Sequence, residues 1–195
     1  MQFSAVNDII LEKLKKDLPG HLSYHDLSHT QDVYSACERI AATEGVKGDD
    51  LILLLTAALF HDSGFLIKPE DHELISCNIA RDILPKFGYS SEKIERICGM
   101  IMATKIPQNP LNHMEELICD ADLDYLGRDD FFTISDKLFK EFLFLGRIKN
   151  EDDWNKLQVG FFESHHYFTE TSKRERDKKK QENLAVIKSK IDKAI

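Results

Sequence analysis

Four short segments carry side chains that can hold a divalent ion and activate a water. They are Tyr24-His25-Asp26-Leu27-Ser28-His29, His61-Asp62, His72-Glu73 and Asp120-Ala121-Asp122-Leu123-Asp124. Taken singly, each has an ordinary explanation: a lone histidine on an apolar helix is commonly a satisfied core residue, and an Asp triplet can be partly surface. Taken together, His29, then His61-Asp62, then an Asp of the Asp120–Asp124 triplet supply two imidazoles and two carboxylates from three separate segments. Mixed nitrogen and oxygen donors of this kind suit Mn, Fe, Co, Ni, Zn or Mg. An ionised Asp in an apolar helical stretch, such as Asp122, is costly unless it is paired or metal-bound. His25 and His29 are four apart, so a helix that includes both puts both rings on one face.

These side chains need a helical frame. Apolar residues at helical spacing mark 3–18, ending at Pro19-Gly20, and 26–44, ending at Gly45. Asp49 or Asp50 can cap a third helix that is apolar nearly all round through Phe60. Such a helix belongs at the centre of a domain, and it delivers His61-Asp62 at its end. Further helices are predicted over 71–87, from 90 or 91 to about 106, and over 115–126. Others follow from 129 or 130, with Phe131, Phe132, Phe139, Phe142 and Phe144, from 152 or 153 with Trp154, and from about 170. The phenylalanines are most simply core, with one ring free to stack on a base. No stretch reads as a strand, a repeat or a linker, so the expectation is an all-α bundle forming one domain over 1–195.

The order His29, His61-Asp62, Asp122 resembles the signature of the HD-domain metal-dependent phosphohydrolase superfamily. The resemblance runs over 24–132 and includes HDSGFLIKPEDHE, ICGMIMATK and ICDADLDYLGRDDFF. It implies an all-helical core with a divalent metal at its centre, held by His29, His61, Asp62 and Asp122, and helices over 129–195 completing the pocket wall. Asp120 and Asp124 then become supporting or structural residues. YHDLSH is similar to the Tyr-His-Asn-x-x-His segment of cyclic-nucleotide phosphodiesterases in the same superfamily. By that similarity His25 is the candidate general acid. This chain has Asp26 where that branch has Asn, and Phe65 where that branch has a further His. Two-metal relatives add histidines. Here His72 is a candidate, with Glu73 beside it, whereas Thr104 stands where another His is expected. That pattern favours one tightly held ion and argues against a di-iron oxygenase.

The implied chemistry is hydrolysis of a phosphoester, of a nucleotide or a related small molecule, by a metal-activated water. His25 and Asp62 are the catalytic candidates: His25 protonates the leaving oxygen, and Asp62 and Asp122 both ligate, with one of them orienting the water. Lys68, Lys105 and Arg128 are candidate phosphate contacts, although Arg128 can equally pair with Asp124. His165-His166-Tyr167 can wall the pocket or simply end a helix. The alternative reading is a regulatory domain that binds a nucleotide without turning it over.

Composition narrows the partners. The 195 residues carry a net charge of -8, the wrong sign for a protein built to grip nucleic-acid backbone. The basic stretch 173–193 is most simply a solvated helix face, with a positive rim over a phosphate as the sharper reading. MQFSAVNDII lacks a cationic and apolar leader, and the apolar run 51–60 is too short for a bilayer, so a cytoplasmic location without a membrane is expected. A homodimer stays open. Four dispersed cysteines, Cys37, Cys77, Cys98 and Cys119, fit buried free thiols.

Overall fold

The computed structural model describes residues 1–192. Nine α-helices and three short 3-10 turns make up its regular structure, with no strand among the described residues. The helices are α1 (Phe3–Asp17), α2 (Leu27–Thr43), α3 (Gly48–Phe60), α4 (His72–Ile83), α5 (Ser91–Ala103), α6 (His113–Asp122), α7 (Phe131–Phe144), α8 (Glu151–Ser164) and α9 (Glu170–Asp192). The all-helical expectation therefore holds. Lys193, the end of the basic stretch, lies outside the described residues.

Helix α3 is the axis of the main core. Every side chain from Leu53 to Phe60 is buried, and α1, α2, α4, α5 and α6 all pack against it. Asp49 and Asp50 do not cap it. They occupy its first turn and pair with Lys93 and Arg96 of α5 at 2.6 and 2.7 Å. A second apolar cluster joins Tyr24, Leu123, Tyr125, Leu126, Phe131, Phe162, Leu184 and Ile187. It ties α7, α8 and α9 to the end of α6. All four cysteines are buried thiols, as the sequence suggests.

Several boundaries differ from the sequence reading, each for a local reason. The helix expected over 71–87 breaks after Ile83, where Leu84–Phe87 with Pro85 forms a 3-10 turn. Proline has no N–H to continue the ladder, and Gly88 closes the turn at φ 76°. Helix α5 stops at Ala103, short of 106. Helix α6 starts early, at His113, because the Asn112 side chain accepts from the Glu115 N–H. It ends at Asp122, and Asp124–Gly127 is a separate 3-10 turn. Asn150 caps α8 in the same way, so that helix begins at Glu151.

Two glycines permit the close approaches that shape the site. A Cβ on Gly64 would lie 2.0 Å from the carbonyl oxygen of His72, so only glycine lets the 63–66 turn sit against the start of α4. A Cβ on Gly127 would lie 2.5 Å from the carbonyl oxygen of Arg176, which is where α9 crosses the turn after α6.

Candidate metal centre and its cleft

The end of α3, the first turn of α2 and the end of α6 converge on one point. His61 follows the last residue of α3. Its Nδ1 donates to the carbonyl of Ala58 at 2.8 Å, which turns Nε2 toward the centre and fixes the tautomer. His29 sits in the first turn of α2, whose cap is Asp26: the Asp26 carboxylate accepts from the His29 N–H at 3.0 Å. His25 therefore precedes the helix and does not share a helical face with His29.

The donor atoms lie close together. The two Nε2 atoms of His29 and His61 are 3.3 Å apart. Asp122 Oδ1 is 3.2 Å from His29 Nε2 and 3.6 Å from His61 Nε2. Asp62 Oδ2 is 3.4 Å from His29 Nε2 and 3.2 Å from His61 Nε2. Metal bonds of about 2.0–2.2 Å place neighbouring donors roughly 3–3.5 Å apart, so His29, His61 and Asp122, whose donor atoms all lie within 4.8 Å of one another, can hold a divalent ion, and Asp62 flanks the two imidazoles. Asp62 Oδ2 is buried and accepts no hydrogen bond among the described residues, a costly state that a cation relieves.

The electrostatics agree. Burial opposes a charge on His29, yet the Asp122 and Asp62 carboxylates outweigh it and raise the imidazole to about 9. His61 is likewise pushed well above its ordinary value against the pull of burial. Asp122 is drawn down to about 2 and Asp62 well below the carboxylate range, because both histidines oppose the cost of burial.

His72 opens α4 and belongs to the same cluster. Its Nδ1 donates to the Pro69 carbonyl at 3.0 Å, and its Nε2 lies 3.3 Å from Asp62 Oδ1. Glu73 Oε1 is 3.5 Å from the same nitrogen. Asp62 therefore faces His29 and His61 with one oxygen and His72 with the other. Thr104 lines the cleft but turns its hydroxyl back to the Ile101 carbonyl of its own helix at 2.8 Å.

The three acids of Asp120-Ala121-Asp122-Leu123-Asp124 do three different things. Asp122 faces the histidines. Asp120 is fully buried and accepts from the Phe168 N–H, the Thr169 N–H and the Thr169 hydroxyl at 2.7–2.8 Å, pinning the α8–α9 connection. Asp124 accepts from Arg39 and Arg176, each at less than 3 Å through Oδ1.

Of the candidate phosphate contacts, only Lys105 lines the cleft, and it pairs with Asp71 at 3.1 Å. Lys68 is exposed and outside the cleft wall. Arg128 pairs with Asp32 at 2.7 Å, with Asp130 at 2.8 Å and, as the sequence allowed, with Asp124 at 3.6 Å, and it does not line the cleft. No residue of α9 lines the cleft, so its basic stretch is not a rim over a phosphate. Several of its lysines pair with surface acids, such as Lys179 with Asp129 and Lys188 with Glu163. His165, His166 and Tyr167 also stay out of the cleft. Tyr167 is buried and donates to the Leu123 carbonyl at 3.1 Å, and burial holds His165 neutral, at about 3.

One residue escaped the sequence reading. Glu141 of α7 is completely buried and accepts from the backbone N–H groups of Tyr24 and His25 at 2.9 and 3.1 Å. Its other oxygen hydrogen-bonds Nδ1 of His25. His25 also stacks on Phe65, with ring centroids 4.1 Å apart. The available signal was a carboxylate next to Phe142 within an aromatic helix.

The cleft encloses about 680 Å³ and runs from Asp62, His72, Asp122 and Lys105 past His25 to a wall of α7 and α8. That volume suits a small-molecule ligand.

The HD domain family model matches residues 26–125, and the chain belongs to that family. A predicted HD superfamily hydrolase from an uncultured Thermotogales bacterium shares the fold at a TM-score of 0.61 and 19% identity, covering 97% of this chain and 89% of that one. Bacillus subtilis YpgQ, solved in complex with ADP, aligns at a TM-score of 0.68 and 20% identity, covering 100% of this chain and 97% of the other. No curated protein matches in sequence. No helix among the described residues is long and apolar enough to cross a membrane.

Proposed function

We propose that this protein is a metal-dependent phosphohydrolase acting on a small phosphoester, with nucleotides the favoured class. The observation that carries the reading is the approach of Asp62 and Asp122 oxygens to the His29 and His61 Nε2 atoms at 3.2–3.6 Å, with both carboxylates lining a ligand-sized cleft. Membership of the HD domain family supports hydrolysis, and the ADP held by the B. subtilis relative supports a nucleotide.

In this reading the four side chains hold one divalent ion, which when bound supplies Lewis acidity and a water of lowered pKa. Asp62 orients that water and steadies His72 through its second oxygen. His25 lines the cleft and donates the proton to the leaving oxygen, with Glu141 holding its ring. Lys105 offers the phosphate a positive charge if it leaves Asp71. The whole of 1–195 is read as one domain, because α7 and α8 complete the wall that α2–α6 begin.

The test is metal analysis of the purified protein, with a screen of phosphomonoesters and phosphodiesters in Mn2+ or Mg2+. His61→Ala and Asp62→Ala should lose metal and activity together. Full metal content and full turnover in both variants would sink the reading.

A further inference from the structure

Beyond the metal ligands the cleft widens into a chamber between α7 and α8 that hydrolysis itself does not require. Packed interiors leave few voids larger than a water, so this space is not unfilled core. Its walls include Leu126, Phe131, Phe142, Trp154, Phe161 and Phe162. Phe142 meets Trp154 edge-on at 5.7 Å between centroids, and Phe131 meets Phe162 edge-on at 5.1 Å.

Two buried polar residues interrupt this aromatic wall, Ser135 of α7 and Gln158 of α8. The Ser135 hydroxyl donates to Gln158 Oε1 at 2.7 Å, and Gln158 Nε2 reaches Asn155 Oδ1 at 3.5 Å. A primary amide has two N–H groups and two acceptor lone pairs, and these contacts use one of each, so donor and acceptor capacity remains for a ligand. A flat heteroaromatic ring with adjacent donor and acceptor atoms complements both the rings and the amide. Nucleobases have that form, and Gln pairs with an adenine edge through both atoms. A sugar phosphate has neither the π face nor the paired edge.

We propose that the chamber between α7 and α8 seats a nucleobase, stacked against its aromatic rings and read along one edge by Gln158. The proposal rests on the phosphohydrolase reading only for which end of the ligand faces the metal centre. Gly160 adds a second handle on the same space. It lines the cleft, and a Cβ built on it meets no heavy atom within 4 Å, so a larger side chain is accommodated at the cleft wall without a clash.

Trp154 is the single tryptophan of the chain, so its fluorescence reports chamber occupancy without turnover. The experiment titrates the purified protein with four nucleoside 5′-monophosphates, with ribose 5-phosphate and with inorganic phosphate. The nucleotides should quench Trp154 and bind at least about tenfold more tightly than ribose 5-phosphate. Gln158→Leu and Gly160→Phe should each shrink that preference by about tenfold or more, Gln158→Leu by removing the amide and Gly160→Phe by filling the space. Equal binding of ribose 5-phosphate and nucleotides overturns the proposal. So does an unchanged preference in both variants when each keeps the parent melting temperature. Base-selective quenching without hydrolysis would uphold the chamber and defeat the phosphohydrolase reading. Phosphoester hydrolysis with no base preference would do the reverse.

Discussion

Glu141 and His25, 116 residues apart, form a buried pair: one carboxylate holds both the ring and the backbone of the histidine. The His25 ring is further clamped against Phe65. Burial would raise the Glu141 carboxyl, but hydrogen bonding from His25 and the backbone amides brings it below its ordinary value, so it stays an acceptor. If His25 is the acid, Glu141 is its positioning residue. Glu141→Gln keeps one acceptor for the backbone but loses the charged contact to the ring. We expect metal content unchanged and kcat lowered by about 10–100-fold, more for poor leaving groups than for activated ones. Equal losses on good and poor leaving groups would reduce Glu141 to a packing role.

The metal centre predicts a pH signature in the metal-free protein. His29 is raised from 6.5 to about 9 by Asp122 and Asp62 despite burial. Its contribution to stability is full below pH 6.5 and is lost as pH rises through 9. Asp122 is lowered from 3.8 to about 2, so its contribution is present above pH 3.8 and is lost as pH falls through 2. A bound ion replaces the imidazole protons, so its affinity rises over the window in which His29 gives up its proton. The gap in melting temperature between metal-loaded and chelated protein should therefore widen from pH 6.5 to 9. A gap that stays constant over that range would contradict the assignment of His29.

The Asp triplet separates folding from metal binding within five residues. Asp120→Ala leaves the buried N–H groups of Phe168 and Thr169 without their acceptor, and should destabilise the protein by about 2–4 kcal/mol in denaturant melts. Asp122→Ala removes a group whose partners are the two metal-facing histidines, and should abolish metal binding with a smaller loss in the chelated protein. If the two variants lose stability and metal in parallel, the division of labour drawn here is wrong.

The same triplet shows what was legible in the sequence. An acid in an apolar helix signals that some partner exists, and the spacing with His29 and His61-Asp62 identified which centre Asp122 serves. It could not assign Asp120 or Asp124, because Phe168, Thr169, Arg39 and Arg176 come from distant elements. Helix α3 was readable because its apolar run has no polar face. The ends of α4 and α6 were not, since they depend on Pro85 and on the Asn112 cap. For Arg128 the pairing with Asp124 that the sequence offered is present at 3.6 Å, whereas Lys68 lies outside the cleft wall: nearness in sequence to a ligand does not aim a long side chain at it.

His72 and Asp62 set the last expectation. The His72 ring is fixed at Nδ1 by the Pro69 carbonyl, and its Nε2 approaches the Asp62 oxygen that does not face the other histidines. Glu73 draws on the same nitrogen. Loss of His72 therefore frees one oxygen of a ligand without deleting a ligand. His72→Ala should weaken metal affinity by about 10–100-fold while His61→Ala removes binding altogether. His72→Asn, whose amide can still donate to Asp62, should recover part of that loss. Titration of the chelated protein with Mn2+ or Zn2+ by calorimetry reads all three. A stoichiometry that falls from two ions to one in His72→Ala would instead make His72 a ligand to a second ion shared through Asp62, and would correct the single-ion expectation drawn from Thr104.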